Sequence, residues 1–250
     1  MLRLHRNLFG GIANMSMLLL CVSSFLAIAP MAGADEFAYE VDSTGQFGFI
    51  DLGTGVFTQL GSLSVTLCGL AVHKGRLYGY GPCATSGTLY EVNPTNGALK
   101  IIGTAPFNYR GLGSTTKGLY GFDPNMNLYS ISPTTGSTTF IGATGLKNPS
   151  GFGVSDGLDT LYITPTPPND ENTPLYSVDT TNGTAIYIGL TGVYGIGALA
   201  VQDGKLYAGV FSPTTVYTLD TSTGAATFVA DVTGTTSYFY GLAPSAQVAP

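Results

Sequence analysis

The residues best suited to recognise a ligand are a small set of tyrosines with a few polar neighbours. Asn108, Tyr109 and Arg110 are consecutive, and Arg110 is one of two arginines that follow the first 34 residues. Tyrosine and arginine combine a large contact area with a polar end, which suits them to binding sites. We therefore predict a ligand-binding rim made of Asn108, Tyr109, Arg110, Lys147, Asn148, Tyr194, Tyr238 and Tyr240. In the alternative interpretation, the tyrosines only fill the centre of the fold.

Side chains able to catalyse a reaction are sparse. His73 is the one histidine after residue 34, and we expect it to be exposed beside the turn at Lys74 and Gly75, so a Ser-His-Asp triad has a single candidate base. A glycosidase needs two carboxylates about 5–10 Å apart, and a metal site needs several converging ligands. The strands predicted to lie at the centre contain no Asp, Glu or His. We predict no catalytic residue, no metal and no cofactor.

Cys68 and Cys83 are predicted to form a disulfide. The turn at Lys74 and Gly75 folds the chain back on itself and places Cys68 opposite about residue 81, and a bulge after that residue brings Cys83 closer. A bridge of this kind forms in an oxidising compartment. Free or metal-binding thiols are the weaker alternative, since two cysteines without a histidine make a poor zinc site.

The first 34 residues predict a secretory signal peptide. Arg3 and Arg6 precede an apolar run over residues 15–29, and an AxA cleavage pattern ends the segment. The run is short for a spanning helix of about 20 residues, and retention as a membrane anchor is the alternative. We expect residues 35–250 to be secreted or periplasmic, monomeric and without membrane association after cleavage.

The composition of residues 35–250 excludes one class of partner. Seven Lys and Arg stand against fifteen Asp and Glu, a net charge of −8. Nucleic-acid binding needs clustered basic residues, which this sequence lacks, so we predict no nucleic-acid partner. Charged residues are scarce while Gly, Thr, Ser and Tyr are common, a composition typical of short strands joined by tight turns. The chain is predicted to be all-β.

A hairpin motif recurs five times along the chain. Its clearest copy, LYEVNPTNGALKIIG from Leu89 to Gly103, has two alternating apolar runs around a turn that ends in Gly97. The turn glycines are 42, 39, 47 and 41 residues apart, and a second hairpin precedes four of the copies. A period near 40 residues with four strands indicates a β-propeller blade. Residues 35–250 thus predict a single domain, a five-bladed β-propeller of four-stranded blades.

The ends of the repeat array predict how the ring closes. The first copy lacks its innermost strand, whereas the last copy is followed by an extra strand, SYFYGLAP, at about residues 237–244. We predict that this C-terminal strand pairs with the N-terminal blade and removes the free sheet edges. The connections at one end of the ring vary in length while the turns at the other do not, and we predict that the variable-loop face is functional.

The segment LYSVDTTNGTAIYIG, which begins at Leu175, resembles the LYxxDxxTG repeat of secreted quinoprotein-type and WD40-like propellers. The resemblance covers residues 37–244 and is one of fold. Quinoprotein enzymes carry a tryptophan late in each repeat, whereas this chain contains none. The resemblance therefore does not imply a bound quinone.

Together these features predict an extracellular binding or interaction module. Its ligand, a carbohydrate or a protein, is expected to meet the variable-loop face. A propeller hydrolase or lyase is one alternative, and a structural cell-surface or matrix protein is the other.

Overall fold

Short runs of alternating apolar residues, separated by tight turns, form twenty β-strands in the part of the chain that the structure describes, and all of them belong to one compact unit. The computed structural model describes residues 36–83, 87–106, 109, 111–146, 152–153, 159–165, 172–212, 214–235 and 237–245. Within these ranges there is no helix long and apolar enough to cross a bilayer. The predicted signal peptide, residues 1–34, lies outside them.

The strands form five blades, as predicted. Blade 1 contains β1 (Phe37–Asp42), β2 (Gln46–Asp51), β3 (Phe57–Ser62) and, from the C-terminus, β20 (Phe239–Pro244). Blade 2 contains β4 (Leu70–His73), β5 (Arg76–Gly81), β6 (Thr88–Val92) and β7 (Leu99–Thr104). Blade 3 contains β8 (Leu112–Thr115), β9 (Gly118–Phe122), β10 (Asn127–Ile131) and β11 (Thr138–Ala143). Blade 4 contains β13 (Leu161–Ile163), β14 (Pro174–Val178) and β15 (Ala185–Leu190), preceded by β12 (Phe152–Gly153). Blade 5 contains β16 (Ile196–Gln202), β17 (Lys205–Phe211), β18 (Thr214–Leu219) and β19 (Ala226–Asp231).

The innermost strands crowd together at the axis. Contacts join β20, β4, β8, β12 and β16 in a closed ring, and β12 pairs in parallel with β16 of blade 5 rather than with β13. Glycines permit this approach, since a Cβ on Gly69 would lie 2.6 Å from the backbone nitrogen of Leu112 and one on Gly241 would lie 2.7 Å from that of Leu70. The inner-strand glycines therefore serve packing.

The C-terminal strand closes the ring, which confirms the prediction. β20 runs antiparallel to β1, with Leu242 opposite Glu40 and Gly241 opposite Val41. Blade 5 is fastened to blade 1 by two further backbone hydrogen bonds, which the Phe57 and Thr233 amides donate to the carbonyls of Thr233 and Gly55 at 2.8 and 3.0 Å. We call this junction of blades 5 and 1 the seam.

Polar side chains accept hydrogen bonds from backbone amides within the hairpin turns. The Asn93 Oδ1 accepts from the Thr95 amide at 2.9 Å, and the Asp179 Oδ1 accepts from the Thr181 amide at 2.8 Å. The turn glycines have positive φ, for example 75° at Gly97 and 82° at Gly183, which L-residues with a side chain rarely adopt. These residues build the scaffold.

Apolar clusters fill the spaces between blades. The cluster at the seam combines side chains from both ends of the chain, namely Ala38, Ile50, Leu52, Phe239 and Leu242 of blade 1 with Ala198, Ala200, Tyr207 and Val216 of blade 5. Burial of this apolar surface stabilises the closed ring in addition to the β1–β20 hydrogen bonds.

Cys68 and Cys83 form the predicted disulfide, with their Cα atoms 5.2 Å apart. The Cys68 amide donates to the Tyr80 carbonyl at 2.7 Å, so the register is close to the predicted one. The bridge ties the entry of β4 to the end of β5.

Candidate functional site

Three aromatic rings meet at the end of the ring where the variable loops gather, which we call the loop end. Tyr194 precedes β16, Phe211 ends β17 and Tyr238 precedes β20. The ring centroids of Tyr194 and Phe211 are 6.3 Å apart and those of Phe211 and Tyr238 are 5.7 Å apart, both in edge-to-face geometry. Such pairs contribute about 0.5–1.5 kcal/mol beyond their buried area. The cluster spans the seam, because Tyr238 belongs to the blade 1 side and the other two to blade 5.

Much of this cluster faces solvent. Tyr238 is 51% exposed and Tyr240, at the bulge between β20 and β1, is 36% exposed. Phe239 between them points into the core, where a Cβ on Gly209 would lie 2.7 Å from its ring. We call Tyr194, Phe211, Tyr238 and Tyr240 the aromatic patch. It presents ring edges and hydroxyls at the loop end, which suits recognition rather than bond-breaking chemistry.

A buried carboxylate holds the Tyr238 loop in place. Asp42, at the end of β1, is fully buried and accepts from the Thr44 amide and hydroxyl at 2.8 Å and from the Gln46 amide at 2.9 Å. Its other oxygen accepts from the Thr235 hydroxyl at 3.2 Å, and the Ser43 amide donates to the Tyr238 carbonyl at 3.0 Å. Hydrogen bonds to a buried carboxylate are among the stronger ones in proteins. They fix the loop relative to β1.

Blade 5 holds the other two rings through backbone contacts. The Phe211 amide donates to the Gly195 carbonyl at 3.1 Å, and the Phe211 ring covers Gly195, whose φ is +77°. The Thr191 hydroxyl donates to the Thr173 carbonyl at 2.7 Å, and the Thr173 amide donates to the Val193 carbonyl at 2.7 Å. The loop that carries Tyr194 is thereby attached to blade 4.

Tyr109 has a different position from the other predicted rim tyrosines. It is fully buried and packs edge-to-face against Tyr80, at 4.8 Å, and Tyr129, at 5.9 Å. Its burial raises the pKa of the phenol. Tyr109 fills space between blades 2 and 3, and it is not part of the aromatic patch. The predicted site residues Asn108, Arg110, Lys147 and Asn148 lie outside the described residues.

The candidate base His73 is buried, being only 5% exposed, which corrects the expectation of an exposed turn residue. Burial is the largest cause that lowers its pKa, followed by the charge of Lys74, while a hydrogen bond with the Thr115 backbone opposes the shift. The turn exposes Lys74, but the His73 side chain points back between blades. Among the described residues, no group of three His, Cys, Asp or Glu side chains is arranged to hold a metal ion.

Two further carboxyl groups, which the sequence did not identify as candidates, lie close together in the structure. Glu40 and Asp42 are two residues apart on one face of β1, and both are fully buried. Burial, and secondly the charge of Asp42, raises the pKa of Glu40 well above its usual range. A glycosidase pair must reach its substrate from a cleft. Neither of these groups reaches solvent, so this pair is not positioned for hydrolysis.

A separate cleft opens at the opposite end of the seam, where the tight turns gather. Its volume is about 660 Å³, and its walls include Leu52, Tyr207, Thr218 and Thr227. Thr218 lies directly between Tyr207 and Thr227 on adjacent strands, so the hydroxyl-bearing side chains of these three residues form a row along one wall of the cleft. Lys205 and Glu36, which also line it, bind each other at 2.7 Å. These two charges satisfy one another, and a ligand would meet the Asp220 carboxylate together with hydroxyl and aliphatic groups.

Phe211 and Asp42 are the residues of the site that sequence reasoning missed. Phe211 joins Tyr194 to Tyr238, and Asp42 anchors the loop before β20. A signal for Asp42 exists, because an Asp two residues before a Thr favours an Asx-type turn. No local signal places Phe211 beside two tyrosines from other loops.

Comparisons with known proteins support the fold and go no further. No family model matches the chain, and no curated protein matches it either. The quinoprotein-type resemblance therefore stays at the level of architecture. Among solved structures, the chain is similar to one from a "Crystal structure of Nidogen/Laminin Complex", with a TM-score of 0.60, 11% sequence identity, and coverage of 86% of this chain and 99% of that chain. At this identity the likeness shows a shared propeller fold.

Proposed function

We propose that this chain is an exported β-propeller binding module whose partner docks on the aromatic patch. The observation that carries the proposal is the edge-to-face contact of Phe211 with the half-exposed Tyr238, made across the seam at the loop end. Rigid aromatic anchors lose little conformational entropy when they bind, and they dominate the energetics of many interfaces.

A protein is the partner that we favour over a carbohydrate. The similar solved chain comes from a complex of two proteins, nidogen and laminin. The disulfide fits an oxidising, extracellular setting. The patch offers several tyrosines held by hydrogen-bonded loops, so a partner would dock on a preformed surface.

Affinity capture with matched variants tests the proposal. The immobilised chain is exposed to extracellular extract, and each captured protein is purified and its Kd is measured against wild type, Tyr238→Ala and Tyr187→Ala. Tyr187 is a suitable control, since it is 55% exposed and packs edge-to-face on Tyr176 at 5.5 Å, far from the seam on β15. We expect Tyr238→Ala to weaken binding by about tenfold or more, as for an interface anchor. Equal losses in the two variants would exclude the patch as the docking site.

Two further assays separate the alternatives. Binding to a glycan array that is lost in Tyr238→Ala would make the ligand a carbohydrate. Turnover on a panel of hydrolase and lyase substrates would instead establish an enzyme.

A structural role at a cell surface or in a matrix is the second candidate. Ile101, Phe140, Tyr187 and Phe228 occupy the same register position on the outer strands of four consecutive blades, and each is more than half exposed. Repeated exposed apolar side chains favour association. Sedimentation of wild type and a Phe140→Ser, Phe228→Ser variant distinguishes the candidates, since assembly through these strands would be lost in the variant.

A further inference from the structure

Glu40 is a carboxylic acid buried in the apolar seam without a hydrogen-bond partner. Both of its carboxyl oxygens are inaccessible to solvent and unpaired. Glu40 lies on the same face of β1 as Ala38, and directly opposite Leu242 of β20, and both of these neighbours belong to the seam cluster. Gly48 of β2 is opposite on the other side, and the Phe57 ring covers that glycine.

The repeat itself does not call for an acid at this position. In blades 1, 2, 3 and 5 an inner-strand leucine faces one residue of the second strand. Opposite Leu70, Leu112 and Leu199 these residues are Gly79, Gly121 and Ala208, whereas opposite Leu242 it is Glu40. The acid is thus found where the N-terminal and C-terminal strands meet, and glycine or alanine fills the place in these three other blades.

The aromatic patch depends on the same junction. Tyr240 is on β20 itself, and Tyr238 is on the loop that Asp42 anchors two residues beyond Glu40. Phe211 and Tyr194 approach from blade 5. Separation of blade 1, together with its strand β20, from blade 5 would take Tyr238 away from Phe211.

Few ionisable groups surround Glu40. Asp42, on the same strand, raises the pKa of Glu40, and Glu36, which precedes the strand, is paired with Lys205 of blade 5. β17 contributes the cluster residue Tyr207 and the paired Lys205 as titratable groups, while β2 and β20 place Gly48 and Leu242 opposite. No described cation is paired with Glu40. An unpaired carboxylate in such a place is costly, so the acid keeps its proton in the closed ring.

We propose that Glu40 is a proton-controlled latch, which keeps the seam and its aromatic patch closed while protonated and loosens them when it ionises. This regulation of the patch rests on the proposed function. The folded-state pKa is raised above the ordinary value of 4.5, so the stabilisation is complete below about pH 4.5 and is lost as the pH rises through the folded-state pKa. The ring is tightest in acid and opens more often as the solution becomes alkaline.

Hydrogen exchange of the β20 amides tests the latch without any partner. Exchange is measured from pH 4.5 to 10 in wild type, Glu40→Gln and Glu91→Gln, and corrected for the intrinsic rate. Glu91 is a control, because it makes surface ion pairs with Arg76 and Lys100 in blade 2. In wild type and Glu91→Gln, protection should fall by up to about tenfold per pH unit until Glu40 is ionised. Glu40→Gln should keep constant protection across that range.

Two results would overturn the latch, namely the same pH profile in Glu40→Gln as in wild type, or a flat profile in wild type. If Glu40→Gln fails to fold, Glu40→Ala replaces it, since alanine occupies the equivalent position in blade 5. Partner binding is measured separately. A pH-dependent seam combined with binding that ignores Tyr238→Ala would refute the proposed docking site and leave the latch in place, whereas Tyr238-dependent binding with a flat exchange profile would refute the latch alone.

Discussion

Gly142 on the outer strand of blade 3 lies directly against the carbonyl of Asn182 in the hairpin turn of blade 4. The same contact joins Gly103 to Thr135 and Gly189 to Thr223, one blade before and one blade after. A Cβ on any of these glycines would collide with the turn of the next blade. The outer-strand glycine of each of these repeats is therefore needed for the contact between blades, whereas the turn glycine is needed for the conformation of its own hairpin.

Gly142→Ala should destabilise the protein by about 2–3 kcal/mol, because the added methyl group must push away a backbone carbonyl. Gly118→Ala is the control, since a Cβ there would meet nothing closer than the Tyr120 hydroxyl at 3.4 Å. Chemical denaturation of both variants measures the difference. Equal midpoints would show that the turn moves aside freely.

Removal of residues 238–250 should abolish cooperative unfolding or sharply lower the Tm, because β1 loses its pairing with β20 and the seam cluster loses Phe239 and Leu242. A circular permutant separates lost pairing from lost length. Ser245 already donates to the Phe37 carbonyl, from its hydroxyl at 2.7 Å, so a short linker can join β20 directly to β1. The permutant should melt close to wild type, and a permutant as unstable as the truncation would contradict closure by this strand.

Replacement of Cys68 and Cys83 by alanine should cost about 3 kcal/mol, the value expected for a loop of 15 residues in the chain-entropy account. Denaturation with and without a reducing agent measures it. Reductant should destabilise wild type by a similar amount and leave the double variant unchanged. A double variant that remains sensitive to reductant would point to a different effect.

Asp42→Ala should destabilise the protein by about 3 kcal/mol, since it leaves several donors around a buried site without an acceptor. Thr235→Val removes one hydrogen bond to the same carboxylate and should cost about 1 kcal/mol. A double-mutant cycle measures the coupling between the two residues. A coupling energy near zero would show that Asp42 does not hold the Tyr238 loop.

Asp220 should titrate below its ordinary pKa of 3.8, because the Ser222 hydroxyl and amide donate to its carboxylate in the turn of blade 5. The lowered pKa means that the turn is intact above about pH 3.8 and weakens as the pH falls through the folded-state value. Carbon NMR titration follows the midpoint. Ser222→Ala should raise the pKa of Asp220 and leave that of Asp179 unchanged. If the titration midpoint of Asp220 is the same in the variant, the Ser222 hydroxyl is not the cause of the lowered pKa.

The sequence predicted the number of blades, the hairpin turns, the disulfide and the closing strand. Each of these rests on interactions between residues close in the chain, such as Asn93 with the Thr95 amide, or on a count of repeated units. Turn-forming residues and the alternation of apolar and polar residues in strands act over a few positions, so both can be recognised in the sequence without a structure.

The site was predictable only in part. Tyr194 and Tyr238 were selected from the sequence as members of one rim, but their link through Phe211 joins residues from two blades. Burial was the least predictable property. Tyr109 and His73 were expected in loops or turns at the surface, and the neighbouring blades cover both.

The sequence by itself thus determined the four-stranded blade and the number of blades, through local backbone preferences that repeat at a regular spacing. What only the tertiary structure decided was which side chains meet at the seam. Glu40 is an ordinary strand residue in the sequence, and it becomes an unpaired buried acid only because β20, from the other end of the chain, covers it. Solvent exclusion depends on surfaces that come together across the closed ring, and that information is not local.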